Sequence, residues 1–306
     1  MEVETPILQP IPGGAAAKPF ITHHNSLDIP LYLRIANELY LKRLIVGGKE
    51  GVYEFAKDFR NEGMDRTHNP EFTMLELYVA YKDYNWMMVF IENLFEKIAK
   101  EVCGKTTVVY DDKKINFQGP YKKIAFFDCI KNATGDDISK MTEQQLVNYC
   151  KSKHIETRKS MGKGKLFDAV FSFYCEKKLT QPTYITDYPI EMSPLTKKHR
   201  SKKGLTERFE LFINGKEIAN AYSEQNNPIE QRERLEQQAG GEQQKLDEDF
   251  LTALEHGMPP AGGIGIGIDR LCIMLLGQES IRDVILFPQL KPKEDSPNPR
   301  ADSDPV

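Results

Sequence analysis

The first residues able to do chemistry lie at two neighbouring strand ends. Residues 58–62 (DFRNE) end one strand-like run, and residues 68–72 (HNPEF) begin the next. An arginine guanidinium is a planar fork that can hold a phosphate and a carboxylate together, which suits an enzyme that joins the two. The alternative is a surface hairpin in which Arg60 and Glu62 form a solvated ion pair. For an isolated R-x-E pattern that alternative is favoured.

Alternation along the second strand adds an acid to this group. Odd positions from 73 to 81 carry Thr, Leu, Leu, Val and Tyr, which is typical of a core face. Glu76 lies on the other face, where Phe72 and Tyr78 are its aromatic neighbours. An acid on a face of a central strand normally needs a cationic partner. We therefore expect Glu76 to meet a cation, which a ligand can supply.

The second group lies in a hairpin whose arms are residues 208–213 and 216–223, joined by Asn214-Gly215. This dipeptide is favoured in two-residue hairpin turns. Three polar residues alternate along one face of the second arm and its end, with small residues behind: Asn220, Tyr222 and Glu224.

The same hairpin carries a pair of acids, Glu210 and Glu217, on its two arms. Paired carboxylates can hold a hydrated Mg²⁺ that bridges the phosphates of ATP. The alternative is an exposed amphipathic hairpin with solvated acids, and the hairpin by itself favours that alternative.

The third group is the run GGIGIGIDR at residues 262–270. Strict Gly/Ile alternation predicts a strand with one bulky face and one bare face, where a flat group such as a purine can approach the main chain. Arg270 follows at the junction with a helix and can stack on a base or meet a phosphate. The run does not match the dinucleotide-binding pattern G-x-G-x-x-G, and the Gly104-Lys105-Thr106 segment does not match a phosphate-binding loop.

Composition bounds the remaining possibilities. The chain has 306 residues, 40% hydrophobic and 28% charged, with a formal net charge of −4. These values predict a folded, water-soluble protein and argue against bulk electrostatic binding of nucleic acid. The five scattered cysteines indicate neither a disulfide framework nor a zinc site. With no membrane-length apolar run and no signal peptide pattern, the expected location is the cytoplasm.

Periodicity places these groups on elements. Helices are predicted at 35–46 and 84–103, within 143–153, 165–178 and 227–255, and after the Gly/Ile run at 271–276. Strands are predicted at 52–60 and 71–81, at 183–188 and in the hairpin arms, so antiparallel pairing dominates. Residues 120–182 look like a helical insertion, and the proline-rich tail at 291–306 is predicted to be disordered.

Together, the segments FRNEG…HNPEF, RFELF…KEIANAYSE and GIGIGIDR resemble motifs two and three and the intervening strands of the class II aminoacyl-tRNA synthetases. Matches at 12–20 and 36–40 narrow the resemblance to the lysyl-tRNA synthetase family. The resemblance implies an α+β catalytic domain over 1–290, with an antiparallel sheet flanked by helices. It also implies L-lysine, ATP, Mg²⁺ and the acceptor end of tRNA(Lys) as ligands, and a homodimer in the full-length family.

The resemblance also assigns roles to residues. Arg60 would bridge the α-phosphate of ATP and the carboxylate of lysine, and Arg60, Glu62 and Arg270 form the expected catalytic set. The remaining ATP contacts would come from His68, Asn69, Phe72, Glu210 and Gly267, with Phe72 under the adenine. Glu210 and Glu217 would carry Mg²⁺. Lysine would be bound by Gly14, Glu38, Arg60, Glu76, Tyr78, Asn220, Tyr222 and Glu224.

Two other functions stay open. A stand-alone paralog attaches a lysine-type amino acid to elongation factor P, and a non-catalytic paralog would only bind lysine or a partner protein. The family's amino-terminal anticodon-binding barrel and the start of motif one are expected to be missing here, because the chain starts within the end of motif one at residues 2–6. The basic run at 197–203 is expected to be either a flexible cover over pyrophosphate or the tRNA end, or an ordinary solvated loop.

Overall fold

The computed structural model describes residues 1–15, 17–158, 161–239 and 246–290. Its strands are β1 (Leu8–Gln9), β2 (Ile21–His24), β3 (Ile29–Leu33), β4 (Gly51–Phe59), β5 (Glu71–Ala80), β6 (Thr107–Tyr110), β7 (Lys113–Asn116), β8 (Lys122–Ala125), β9 (Thr183–Thr186), β10 (Arg208–Ile213), β11 (Lys216–Ser223) and β12 (Ala261–Gly267). Its α-helices are α1 (Glu38–Val46), α2 (Tyr84–Cys103), α3 (Phe126–Thr134), α4 (Glu143–Ser152), α5 (Lys163–Tyr174), α6 (Pro228–Ala239), α7 (Glu248–Glu255) and α8 (Ile268–Leu275). The predicted disordered tail lies outside the described residues.

A seven-stranded sheet organises the molecule, in the order β4-β5-β12-β11-β10-β9-β8. All neighbouring strands in it are antiparallel except β8 and β9, which are parallel. Two smaller sheets contain β1-β3-β2 and β6-β7. The predicted α+β class with a predominantly antiparallel sheet is confirmed.

Local sequence signals explain two of these elements. Asn214 and Gly215 both have positive φ, 47° and 71°, which is the turn conformation that suits a tight β-hairpin. At the start of α2 the Asp83 side chain accepts hydrogen bonds from the N–H groups of Asn85 and Trp86, and at its end Gly104 adopts the left-handed conformation. Both the hairpin and this helix have the predicted limits.

Other limits differ from the prediction. Helix α1 begins at Glu38 instead of residue 35, because Asn37 is its N-cap. The segment at 120–182 contains α4 and α5, which overlap the two helices predicted there, and α3, which was not predicted. It also contributes β8, which pairs with β9 in the main sheet. A strand of four residues in a lysine-rich stretch carries too weak an alternation to be recognised from the sequence.

Helices cover the two faces of the main sheet unequally. On one face α2 and α8 bury a continuous core with the isoleucines of β12 and the apolar residues of β10. On the other face α1 and α7 cover one end, and α3 to α5 cover the other end. Polar side chains of the central strands lie between these two groups of helices. Among the described residues there is no helix whose length and apolar character would let it cross a membrane.

Candidate active site

Strand register brings the predicted polar residues onto one sheet face. Glu76 on β5 pairs with Gly265 on β12, which pairs with Asn220 on β11, which in turn pairs with Glu210 on β10. Residues that face each other on antiparallel strands project their side chains to the same side. A second row two residues away contains Tyr78, Gly263, Tyr222 and Arg208. The second and third groups of the sequence analysis therefore share one surface with Glu76.

A β-bulge brings Glu217 to this face. The pairing of β10 with β11 shifts between Leu211 and Phe212, so Leu211 pairs with Ala219 whereas Phe212 pairs with Glu217. The extra residue, Ile218, is buried in the core on the opposite face. Strict alternation from Asn220 would turn Glu217 toward that core. The bulge instead turns Glu217 toward Glu210.

Three buried acids meet at this face, Glu76 and Glu224 from the sheet side and Glu38 from the start of α1. Glu38, Glu76 and Glu224 are 5%, 7% and 1% exposed. Tyr222 donates a hydrogen bond to Glu38 over 2.6 Å, and Tyr78 donates one to Glu76 over 2.6 Å. Burial, followed by repulsion from Glu38, raises the pKa of Glu76 to about 8. The cluster is therefore short of positive charge.

Glu224 is the deepest of these acids. Its Oε1 is buried and has no hydrogen-bond partner among the described residues. Burial raises its pKa to about 8, although the neighbouring ammonium of Lys42 acts in the opposite direction. A buried carboxylate oxygen without a partner is costly, and a cationic group of a ligand would relieve that cost.

The bare face of β12 makes room for side chains of the protein itself. A Cβ atom at Gly263 would overlap Glu224 Oε1 and lie 2.5 Å from the ring of Tyr78. At Gly265 the nearest atoms would be Met74 Cε at 3.1 Å and Glu76 Oε1 at 3.4 Å. The expectation that a purine occupies this face is therefore wrong at these two positions. Of the three alternating glycines, only Gly267, which lies beside Arg270, could still be approached by a purine.

Gly14 lies beside the start of α1. Its φ is +88°, and a Cβ atom there would come within 3.0 Å of Ala36 Cβ and 3.5 Å of Glu38 Cβ. The close approach and the left-handed backbone both require glycine. The structure thus brings Gly14 next to Glu38.

Arg60 stacks on Phe72. The guanidinium carbon lies 4.9 Å from the centre of the Phe72 ring, and the Arg60 main-chain N–H bonds to Pro70 O over 2.8 Å. The two predicted residues are together, and one face of the Phe72 ring is covered by the guanidinium. An adenine would therefore have to use the other face of that ring.

Arg270 joins the loop after β4 to the strand pair β11–β12. It donates to Glu217 O over 2.8 Å, and its Nη2 lies 3.1 Å from His68 Nε2. Asp65, which the sequence analysis did not select, holds the other ring nitrogen of His68 at 2.8 Å. Burial raises the pKa of Asp65, but hydrogen bonds from Thr67 and His68 together lower it to about 2.

The two other predicted residues of this loop have structural contacts. Glu62 is exposed and accepts a long hydrogen bond of 3.4 Å from the Lys18 N–H. Asn69 is buried and donates to Glu71 O over 2.6 Å. Asn69 therefore shapes the start of β5, whereas the Glu62 carboxylate is open to solvent.

Both oxygens of Glu210 have partners. Oε1 accepts from Arg208 Nη2 over 2.5 Å, and Oε2 accepts from the Tyr188 hydroxyl over 2.7 Å. Burial and then repulsion from Glu217 raise the pKa of Glu210 to about 7. Within the described part of the chain no group of three or more His, Cys, Asp or Glu residues could hold a metal ion. Two adjacent carboxylates still fit Mg²⁺, which takes one or two protein ligands and completes its shell with water and phosphate oxygens.

A family profile named tRNA synthetases class II (D, K and N) matches residues 1–291. The chain belongs to this family. It is 61% identical over 303 residues to a lysine–tRNA ligase of Porphyromonas gingivalis, covering 97% of this chain and 52% of the relative. It is 60% identical to that of Christiangramia forsetii, covering 96% and 52%, and 57% identical to that of Azobacteroides pseudotrichonymphae, covering 96% and 60%. The chain therefore spans about half the length of the curated relatives it matches.

Two cations of this class II synthetase chain were missed by the sequence analysis. Arg208 donates to Asn220 Oδ1 over 3.0 Å and to Glu210. It therefore orients one residue predicted to bind lysine and one predicted to hold Mg²⁺. Lys42 is fully buried, and its ammonium lies between Glu38 and Glu224. The spacing of each cation could have identified it. Arg208 precedes Glu210 by two positions, which puts both on one face of a strand, and Lys42 follows Glu38 by four positions, which makes them neighbours on a helix.

The basic run at 197–203 forms several contacts with the rest of this class II synthetase chain. Lys198 forms an isolated bridge with Thr206, and Lys202 pairs with Asp187 at 2.5 Å. Arg200 binds the buried Glu207, with Nη2 at 2.8 Å from Oε2. Much of the positive charge is therefore neutralised within the protein.

Proposed function

We propose that this chain activates L-lysine with ATP to lysyl-adenylate and transfers the lysyl group to the 3′ end of tRNA(Lys). The observation that carries the proposal is the pair of buried acids on the glycine-lined face. Glu76 is bound only by the Tyr78 hydroxyl, and Glu224 has an oxygen with no hydrogen-bond partner in the described structure. An enclosed ligand with a cationic side chain satisfies both. The named relatives are lysine–tRNA ligases, which supports the same substrate.

The ends of the lysine would be bound by different parts of the face. Glu76, Tyr78 and Glu224 receive the side-chain ammonium, and Tyr222 forms a wall along the aliphatic stem. Gly14 and Glu38 lie together at the start of α1, where they receive the α-ammonium. Asn220, held by Arg208, orients the same end.

Adenylate formation requires the lysine carboxylate to attack the α-phosphorus of ATP, so that a C–O–P bond forms and pyrophosphate leaves. The carboxylate is already an anion, and no general base is required. Arg60 binds both reacting groups, so it holds them together and stabilises the negative charge on the phosphoryl oxygens. The Phe72 ring supports its guanidinium from one side.

ATP would be bound where the loop after β4 meets the end of β12. His68 and Arg270 are in contact there, at 3.1 Å, and Gly267 precedes the helix that carries Arg270. The exposed carboxylate of Glu62 and the fixed turn at Asn69 complete this part of the site. Arg270 would stack on the adenine opposite the free face of Phe72.

Glu210 and Glu217 would hold Mg²⁺. When bound, the cation neutralises phosphate charge and favours departure of pyrophosphate. Hydrogen bonds from Arg208 and Tyr188 hold the Glu210 carboxylate in a fixed orientation. The elevated pKa of Glu210 indicates that a cation at this pair would be favourable.

The proposal also covers partners and location. We assign the catalytic domain to residues 1–290, with the insertion at about 120–182, and the tRNA acceptor end as the second substrate. The cytoplasm is the expected location, and a homodimer is the assembly expected of the full-length family. These assignments are the ones expected for the family. A size measurement tests the assembly, and an acceptor assay tests the second substrate.

The decisive experiment is lysine-dependent exchange of labelled pyrophosphate into ATP, which tests adenylate formation without tRNA. We expect exchange with lysine and its loss in Arg60→Ala. Arg158→Ala removes an exposed arginine distant in sequence from the sheet and serves as the matched control. Lack of exchange by the wild-type protein would contradict the proposal and favour the non-catalytic paralog.

The acceptor is settled in a second assay. Labelled lysine is supplied with ATP and either tRNA(Lys) or elongation factor P. Transfer to tRNA is the expected result. Transfer to elongation factor P alone would replace the proposal with the stand-alone paralog.

A further inference from the structure

Lys42 occupies the centre of the acid cluster. Its side chain is completely buried on α1. Its ammonium forms ion pairs with Glu38 and, at 2.6 Å, with Glu224 Oε2. The same ammonium lies 5.4 Å from the centre of the Tyr222 ring and 6.0 Å from that of Tyr78. Each of these groups belongs to the predicted lysine site described above.

The contacts of Lys42 divide the cluster into used and unused acid groups. Lys42 takes Oε1 of Glu38 and Oε2 of Glu224, so it leaves the second oxygen of each carboxylate. Glu224 Oε1 has no hydrogen-bond partner in the described structure, and Glu76 has only the Tyr78 hydroxyl. The groups that Lys42 leaves free are the ones that a ligand would need.

The formal charges of the buried cluster also favour a ligand with two ammonium groups. The cluster contains three buried carboxylates and one buried ammonium, which contacts two of them, so the fully ionised cluster lacks two positive charges. Free lysine carries two ammonium groups, and its carboxylate has Arg60 as a separate partner. Burial alone would lower the pKa of Lys42, but Glu224 and Glu38 together raise it. The two carboxylates therefore favour the charged form of Lys42.

We propose that Lys42 is a positioning residue of the amino-acid pocket, which holds Glu38 and Glu224 in place and makes the pocket complementary to a ligand with two ammonium groups. This inference rests on the proposed function, because it assumes that lysine is the ligand. Lys42 does not contact the reacting atoms. Its effect reaches lysine through the two carboxylates that it orients.

The test is steady-state pyrophosphate exchange by the full chain carrying Lys42→Met. Without its ammonium, Glu224 binds a proton more readily and loses its fixed orientation. We expect the KM for lysine at pH 7 to rise by about tenfold, the size of one lost charge-assisted hydrogen bond. The KM for ATP should stay unchanged, and the defect in lysine binding should shrink as the pH rises toward 9 and Glu224 ionises.

A matched control is available on α2. Lys100 pairs with Glu96 at 2.6 Å with the same four-residue spacing, but on an exposed surface. Lys100→Met should leave both KM values unchanged. If Lys42→Met does not fold, Lys42→Arg is used: it keeps the charge but changes the geometry, so we expect a raised KM for lysine with the wild-type pH profile.

The contrary outcomes distinguish a failure of the role of Lys42 from a failure of the proposed lysine activation. Exchange by the wild-type chain, with an unchanged or lower KM for lysine in Lys42→Met, would overturn the role of Lys42 alone. Equal rises in the KM for lysine and ATP, without recovery at high pH, would also overturn it, since that indicates general damage to the fold. No exchange by the wild-type chain would instead remove the proposed function.

Discussion

The main chain of Gly263 lies directly against the side chain of Glu224. A Cβ atom at this position would overlap Glu224 Oε1 and come within 2.5 Å of the Tyr78 ring. Gly263→Ala is therefore expected to displace Glu224 and raise the KM for lysine by at least about tenfold, with a loss of about 1–3 kcal/mol in stability from overpacking. Pyrophosphate exchange at varied lysine concentration measures the first effect, and urea unfolding measures the second.

Gly162 provides the control for this substitution. A Cβ atom there would meet no atom within 4 Å. Gly162→Ala should leave the KM for lysine unchanged. A wild-type KM in Gly263→Ala would mean that the close packing of Gly263 against Glu224 has no part in lysine binding.

Glu217 is expected to set the magnesium requirement. Burial and then repulsion from the Glu217 carboxylate raise the pKa of Glu210 to about 7. Glu217→Gln should shift the Mg²⁺ dependence of exchange to higher concentration by about tenfold, since one of two anionic ligands is lost. The exposed Glu101→Gln is the control. An unchanged Mg²⁺ dependence in Glu217→Gln would exclude this residue as a ligand.

Stability without ligands should fall as the pH rises. The pKa values of Glu76 and Glu224 are raised to about 8 in the folded protein, far above their ordinary values. Between about pH 5 and pH 8 the folded state therefore holds more protons than the unfolded state, and the free energy of unfolding decreases with rising pH. Each acid contributes at most about 1.4 kcal/mol per pH unit.

Urea unfolding at several pH values tests this dependence. Glu76→Gln removes one titrating group and should flatten the decrease between about pH 5 and pH 8. A slope equal to that of the wild type would show that Glu76 is not protonated in the folded protein.

Arg200 anchors the basic run to the core. It binds Glu207, which is 2% exposed and also accepts from Ser223 Oγ over 2.7 Å. Arg200→Ala leaves this buried carboxylate without its cation, and we expect a loss of about 1–2 kcal/mol in urea unfolding, since Arg200 itself is largely exposed. Lys203→Ala in the same run is the control. Equal stability of the two variants would contradict the anchoring role.

The sequence determined most of the strands and helices that carry the site, and which polar residues belong to them. Alternation identified the face of β5 that carries Glu76, and the Asn-Gly turn located the hairpin of β10 and β11. These signals are local, because side-chain direction follows from position along a strand and turn type follows from two residues. The sequence pattern of the active-site segments also identified the family.

Tertiary structure alone decided how these faces are completed. The bulge at Ile218 turns Glu217 toward Glu210, against the alternation of its strand. The ammonium of Lys42 reaches Glu224, a residue far along the chain, and the bare face at Gly263 holds that same carboxylate. Such contacts depend on strand register and helix packing, which bring together residues that are distant in sequence. A pattern read along the chain therefore locates the acids but not the cation that lies between them.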